Sequence, residues 1–342
     1  MRFGTFHIMG APGAVEPKQR YEDAFAQVVL AEELGFTSAW FAEHHFSNYG
    51  YSVNPLMLGV KAAALTTSIR IGQAVLVTPL WHPLRLAEDL ALADVLSNGR
   101  IEVGMGRGYQ PMEFKGMSVS LEDSRTSFPE QVEIIRRSWT MKDFTFTGKH
   151  FNVDVPVTIM PRPIQQPHPP IWIGATSPQT LDWAAELGTD ILLAGGPSST
   201  AQIAEWHQRI LAKRAAAGHT KALRYGILRQ VFVTETEAEA RAAIGQARWQ
   251  RRLAYELRQG VEAITGGRIE AKPFDGELSD EQIWDQLYYG TPDQVIAKIR
   301  DQQATGMTDF IAWFDIGEVP GDQVLKSMRL FAREVMPSFL GT

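Results

Sequence analysis

The chain of 342 residues contains no cysteine. That excludes disulfides, thiolate metal sites and a cysteine nucleophile, and it suits a reducing compartment. No stretch of about 18 uninterrupted apolar residues occurs, so no transmembrane helix is expected. The opening Met1-Arg-Phe-Gly-Thr-Phe-His-Ile-Met-Gly10 has the look of a strand. It lacks the long apolar segment and small-residue cleavage site of a secretory leader, so a cytoplasmic protein is expected. Basic charge is not in excess: 33 Lys and Arg stand against 39 Asp and Glu, a net charge of −6. The two signs are interspersed, which argues against a nucleic-acid partner. Hydrophobic residues make up 44%, ample for a large buried core.

What is present is an alternation of strand-like and helix-like segments from end to end. Strands are expected at 2–8, 38–42, 69–77, 101–104, 171–173, 190–193, 225–233 and 309–314. Helices are expected at 21–34, 55–66, 83–96, 178–187, 200–217, from about 237, and 323–335. Pro55 and Pro83 stand at first helical turns, a favoured place for proline, and Asn98-Gly99 ends a helix. Right-handed crossovers leave a closed barrel or an open doubly wound sheet. Eight units without a composition break favour a single (β/α)8 TIM-type barrel spanning residues 1–342. Insertions are expected after strand four, at about 143–166 with a hairpin, and before strand eight, at about 257–289. Each reads as a lid, a dimer contact or a solvated excursion.

In such a barrel the chemistry sits where strands end and loops begin. Strand two ends in Glu43-His44-His45. Histidine carries protons near neutral pH. Adjacent residues leaving a strand point to opposite sides, so one histidine is expected in the pocket and the other in the loop. A metal is the rival reading, because His7 and His82 belong to the same rim. Strands five and six offer no further ligand, and no His-Glu-x-x-His occurs, which argues against it.

Strand four runs into Gly104-Met-Gly-Arg-Gly-Tyr109. This is not the dinucleotide fingerprint, because Tyr109 replaces the third glycine. It offers close backbone approach to a flat ligand and a guanidinium, Arg107, able to clamp a phosphate. Gly174-Ala-Thr-Ser-Pro-Gln-Thr180 opens a helix whose N–H groups and dipole favour an anion. Thr176, Ser177 and Thr180 add hydroxyls. Ser177 also serves as an ordinary N-cap. Gly72 and Ala74 are small residues in an otherwise bulky strand and leave room for a planar ring. Trp40, Phe46, Trp81, Tyr109 and Phe114 near the rim suggest an apolar pocket.

These segments, with Arg2-Phe-Gly-Thr-Phe6, Ala42-Glu-His-His-Phe46, Ser97-Asn-Gly-Arg-Ile101, Pro170-Ile-Trp-Ile-Gly174 and Gly290-Thr-Pro-Asp-Gln-Val295, resemble the bacterial luciferase-like flavin monooxygenases over nearly the whole chain. The resemblance implies a barrel that takes reduced FMN from a separate, transiently bound flavin reductase. O2 then oxidises a small organic substrate on the flavin. It assigns proton transfer to His44, with Glu43 and His45 beside it. It assigns the cofactor phosphate to Arg107, Arg125, Thr176, Ser177 and Thr180, and a cis peptide beneath the flavin ring to Ala74-Val75. A homodimer is common in the family. Three departures set this chain apart. Gly106 stands where luciferase has a reactive cysteine, Thr176 where it has glutamate, and Ala194-Gly195-Gly196 where it has tryptophan. They argue against light emission and long-chain aldehydes. An oxidoreductase using the deazaflavin F420, or a non-catalytic flavin-binding protein, remains as an alternative on the same fold.

Overall fold

The computed structural model describes residues 1–13, 16–194, 199–260 and 264–339. Eight parallel strands form the barrel: β1 (Arg2–His7), β2 (Ser38–Phe41), β3 (Arg70–Gln73), β4 (Ile101–Gly106), β5 (Ile171–Gly174), β6 (Asp190–Ala194), β7 (Tyr225–Val233) and β8 (Asp309–Trp313). Each pairs with the next, and β8 returns to β1 with Arg2 opposite Asp309 and Thr5 opposite Ala312. The ring is therefore closed, and the open doubly wound sheet is excluded. Past Gln73 the third stave continues as Leu76–Val77, paired with Met105 and Gly106. Between the two pieces the Ala74–Val75 peptide is cis.

The outer helices are α1 (Pro17–Glu33), α2 (Pro55–Leu65), α3 (Pro83–Leu96), α4 (Pro111–Gly116), α5 (Ser124–Thr140), α6 (Pro178–Leu187), α7 (Thr200–Ala216), α8 (Glu237–Ala242), α9 (Ile244–Gln259), α10 (Asp280–Gln286), α11 (Pro292–Gln303) and α12 (Gly321–Leu330). Local chemistry sets many of their ends. Pro55 and Pro83 are first helical residues, and Asn54 accepts from the N–H groups of Leu56 and Met57 at 3.1 and 2.9 Å. Helices α4 and α5 were not anticipated. Pro129 lies inside α5, where a proline normally argues against a helix. Helix α1 begins at Pro17, one turn earlier than Tyr21 suggested.

Two indoles fill the barrel. Trp40 and Trp172 meet edge to face at 5.3 Å, and neither is exposed. Gly72 faces Trp40, and a Cβ there would overlap the indole. A Cβ on Gly226 would come within 3.1 Å of Trp172. The space at Gly72 is thus taken by Trp40, not left for a planar ligand. Below the indoles, at the N-terminal ends of the strands, lies a buried charge network. Arg224 binds Glu102 and Asp309, each at 2.7 Å, and Arg2 binds Asp309 at 2.8 Å. Arg70 also pairs with Glu102. Glu102 accepts from the Trp172 indole at 2.6 Å, and the Arg224 guanidinium lies 4.5 Å from the Trp172 ring. The plugged, charged end leaves the opposite rim for a ligand.

The expected hairpin after β4 is present as Phe144–Thr147 and Asn152–Val157. Glu130 of α5 accepts from the N–H groups of Lys149, His150 and Phe151 at its turn. The insertion before β8 contains a short hairpin, Ile264–Thr265 with Arg268–Ile269, then α10 and a three-residue strand, Tyr288–Gly290, paired with the far end of β7. The short hairpin sits on the rim. Asn48 accepts from Ile269 N–H at 2.8 Å, its own N–H reaches Gly267 O at 2.9 Å, and Arg268 reaches Pro12 O at 2.7 Å.

Candidate active site

The loop after β2 sends its three polar residues to different partners. Glu43 is buried, and three donors converge on its carboxylate. Val77 N–H lies at 2.7 Å, Trp81 Nε1 at 2.9 Å and His45 Nε2 at 3.0 Å. It ties the β2 loop to the end of the third stave. His45 is buried with it. Burial opposes charge on His45, but the hydrogen bond and charge of Glu43, with the charge of Glu113, prevail and raise its pKa above the ordinary 6.5.

His44 turns the other way. Its Nδ1 lies 2.9 Å from Glu113 Oε1 on α4, and its ring meets Tyr49 edge to face at 4.7 Å. A carboxylate only accepts, so Nδ1 carries the proton and Nε2 keeps the free lone pair. The Gln110 amide is also 2.9 Å from Nδ1, and its oxygen otherwise has no partner. With the amide oxygen turned to Nδ1–H, Gln110 accepts there instead of opposing a second donor. Glu113 Oε1 accepts from His45 N–H as well, at 3.0 Å, so one buried carboxylate fixes both the ring and the backbone that carries it. The His44 side chain remains 13% exposed, enough to leave an edge open.

The histidines of the rival metal reading lie elsewhere. His7 is on the outward face of β1, bonded to Thr5 Oγ1 at 2.9 Å, and burial drives its pKa down to about 3. His82 is exposed and faces Phe151 of the hairpin at 6.0 Å. The three histidines do not converge. Among the described residues no group of three or more His, Cys, Asp or Glu is placed to hold a metal ion. The pocket aromatics also divide. Trp40 fills the barrel, Phe114 is buried under the Gly108 turn, and Trp81 donates to Glu43. Phe46 and Tyr109, 42% and 38% exposed, are left at the mouth.

The third, fourth and fifth staves build the rest. Val75 points into the top of the barrel between Gly106 and Gly174. A Cβ on Gly106 would overlap its Cγ2 methyl, and one on Gly174 would come within 2.8 Å of Cγ1. The two glycines leave room for Val75, which together with Ala74 forms a smooth floor. Past Gly106, Arg107 reaches Ser124 Oγ at 3.1 Å at the start of α5, next to the exposed Arg125. Burial lowers the pKa of Arg107, and the Arg125 charge lowers it further. Neither guanidinium has a carboxylate partner among the described residues. On the adjacent stave, Ser177 caps α6 by accepting from Thr180 N–H at 3.3 Å, and the two hydroxyls lie 3.0 Å apart. Thr176 is exposed beside them. Gly195 and Gly196 fall outside the described residues.

Glu113, Gln110 and Tyr49 escaped sequence reasoning. The one local cue was Pro111, at the first position of a short helix that carries Glu113 in its first turn. A groove of about 390 Å³, lined by Phe25, Val29, Leu65, Leu325 and Arg329, lies on the flank among α1, α2 and α12, away from His44.

Comparison with known proteins gives the chain its relatives. Monooxygenase RslO1 of Streptomyces bottropensis is 31% identical, with a TM-score of 0.86 over 99% of this chain and 100% of that one. The oxygenase component of the flavin-dependent trigonelline monooxygenase of Acinetobacter baylyi is 25% identical over 99% of this chain and 96% of its own. The oxygenating constituent of 3,6-diketocamphane monooxygenase from Pseudomonas putida, solved with FMN, shares the fold at 21% identity. Its TM-score is 0.80, over 99% of each chain. F420-dependent enzymes are also found on this fold. The profile of the luciferase-like monooxygenases matches residues 1–309, and the chain belongs to that family.

Proposed function

We propose that this protein is the oxygenase component of a two-component, FMN-dependent monooxygenase, supplied with reduced FMN by a separate reductase. The observation that carries the FMN assignment is the pair Arg107 and Arg125, two guanidiniums close enough to repel and without a carboxylate partner among the described residues. Two like charges side by side favour an anion between them. The hydroxyls of Ser177, Thr180 and Thr176 and the N-terminus of α6 supply further donors from the next stave. Together these residues hold the FMN phosphate, with Ala74, Val75 and Gly106 under the ring. Bound reduced FMN supplies the electrons that activate O2.

His44 does the proton chemistry. Glu113 keeps the proton on Nδ1, so Nε2 accepts or returns a proton at the open edge of the ring. Glu43 and His45 do not reach this edge; they brace the loop. Dimerisation is proposed through α2 and α3, which leave Met57, Leu92 and Leu96 exposed at 72%, 45% and 59%. A light-scattering mass of twice the 38.1 kDa chain would support the dimer, and a mass of one chain would refute it.

The test compares reduced FMN, reduced riboflavin and reduced F420 by anaerobic titration. FMN should bind tightest, and the advantage over riboflavin, which lacks the phosphate, should shrink by about 10–100-fold in Arg107→Leu/Arg125→Leu. Tighter F420 binding would assign the deazaflavin chemistry instead. Absence of any flavin binding would overturn the proposal. His44→Ala should lower turnover and leave FMN affinity within about threefold; unchanged turnover removes His44 from the mechanism.

A further inference from the structure

Beside His44 the rim carries polar groups that the flavin reading does not use. Tyr109 stands at the mouth, its ring 6.4 Å from His44. The Gln110 amide lies 3.4 Å from its phenol oxygen, and the Tyr49 phenol interacts with it. Desolvation of that oxygen, with Tyr49 beside it, raises its pKa well above the ordinary 10.0. The phenol therefore stays protonated, and its O–H is given to Tyr49 until a substrate oxygen takes its place. The Arg258 guanidinium of α9 lies 5.5 Å from the Tyr109 ring centroid. Behind this pair, Gln250 of α9 is 3% exposed and reaches toward the Tyr49 phenol and Gly10. Neither polar atom of its amide completes a hydrogen bond of ordinary geometry. A buried amide left in that state is destabilising. Packing alone does not account for it, since leucine has nearly the same volume and no such cost.

We propose that Tyr109 and Arg258 form a substrate-orienting wall beside His44 that takes a ring-bearing substrate with an acceptor oxygen, a ketone or a phenol, in preference to an unbranched aldehyde. Tyr109 donates to the substrate oxygen. Arg258 favours the partial negative charge there. The exposed part of the Tyr109 ring, away from Arg258, receives the ring of the substrate. Tyr49 and Gln250 are positioning residues that hold the Tyr109 phenol. The purely apolar pocket suggested by the rim aromatics is thereby replaced by one with a polar wall. The inference rests on the reading of the His44 rim as the reaction site. It does not depend on which flavin binds.

The test uses four ten-carbon probes: 2-naphthol, 2-tetralone, naphthalene and decanal. Each is titrated calorimetrically into the full chain, with and without FMN, and FMN affinity is measured separately. The two cyclic oxygen compounds should bind about tenfold tighter than naphthalene, the value of one good hydrogen bond, and tighter than decanal. Tyr109→Phe should erase the advantage over naphthalene while FMN affinity holds within about twofold. Gln250→Leu should reduce the same advantage and raise the melting temperature, whereas a structural role for the amide would lower it. Equal binding of naphthalene and 2-naphthol, tightest binding of decanal, or unchanged selectivity in Tyr109→Phe would each overturn the proposal. Selectivity without FMN binding would uphold this wall while refuting the flavin assignment.

Discussion

Glu43 offers a sharp test of how the rim is held together. It stands among the residues that the family resemblance associates with catalysis, yet its carboxylate is 1% exposed and occupied by three donors. Glu43→Gln preserves the shape and changes one thing. Oε2 accepts from Val77 N–H, while Oε1 accepts from Trp81 Nε1–H and His45 Nε2. The backbone and indole donors are fixed. Whichever way the amide is turned, its NH2 must face one of them. One bond becomes a donor–donor contact and the charge assistance is lost, at about 2 kcal/mol. Glu43→Ala orphans all three donors and should cost about 3–5 kcal/mol. For 342 residues the unfolding entropy is about 0.7 kcal/mol/K, so melting should fall by ~3 °C and ~4–7 °C respectively. The raised pKa of His45 adds a pH signature. A group whose folded pKa is raised contributes stability fully present below its unfolded value, near 6.5, and lost as pH rises through the folded pKa. The gap between the parent protein and Glu43→Gln should therefore be widest near pH 6 and narrow at higher pH. Differential scanning fluorimetry from pH 5.5 to 9, with FMN titration alongside, measures all of this. Equal melting of the parent and both variants would refute the bracing role. So would a loss of FMN affinity above about tenfold with stability unchanged, since Glu43 would then act on ligand rather than on the loop.

Two further predictions concern other parts of the fold. Glu32, at the end of α1, accepts from the N–H groups of Thr67, Ser68 and Ile69. Burial alone would raise its pKa, but these bonds and the Ser68 hydroxyl bring it from the ordinary 4.5 down to about 2. The stability it provides is present above about pH 5 and is lost as pH falls toward 2. Glu32→Gln should thus be destabilised at pH 7 and converge with the parent in acid denaturation; a constant gap down to pH 2.5 contradicts this. Gly106→Cys restores the residue that luciferase has at this position, but its Cβ would collide with the stiff, β-branched Val75. It should cost about 1–3 kcal/mol in urea unfolding, and Val75→Ala in the same chain should recover most of the loss. Simple additivity of the two substitutions would show that they do not collide.

The order of elements was readable because it is set locally. Apolar runs of strand length alternate with helix-length segments, and Pro55, Pro83 and Asn98-Gly99 mark boundaries through their own backbone limits. Eight such units place Glu43-His44-His45, Arg107 and Ser177 on one rim without any tertiary information. Pro129 hid α5 for the same local reason, because the rule against proline in helix interiors is statistical and packing overrode it.

Side-chain direction and occupancy were not readable, because they depend on residues far apart in the chain. His44 meets Glu113 across 69 positions, and Glu43 meets Val77 across 34. The small residue at Gly72 signalled free space, but only the register of β2 against β3 shows Trp40 lying in it. Arg107 and Arg125 were each visible; that they lie side by side with no carboxylate partner among the described residues emerged only when β4 and α5 were brought together. The sequence by itself determined the barrel, its candidate rim and the residue types on it, since these follow from periodicity and chain order. Only the tertiary structure decided which histidine is braced and which is open, and where a ligand has room. Those are settled by contacts between distant staves, which local pattern does not encode.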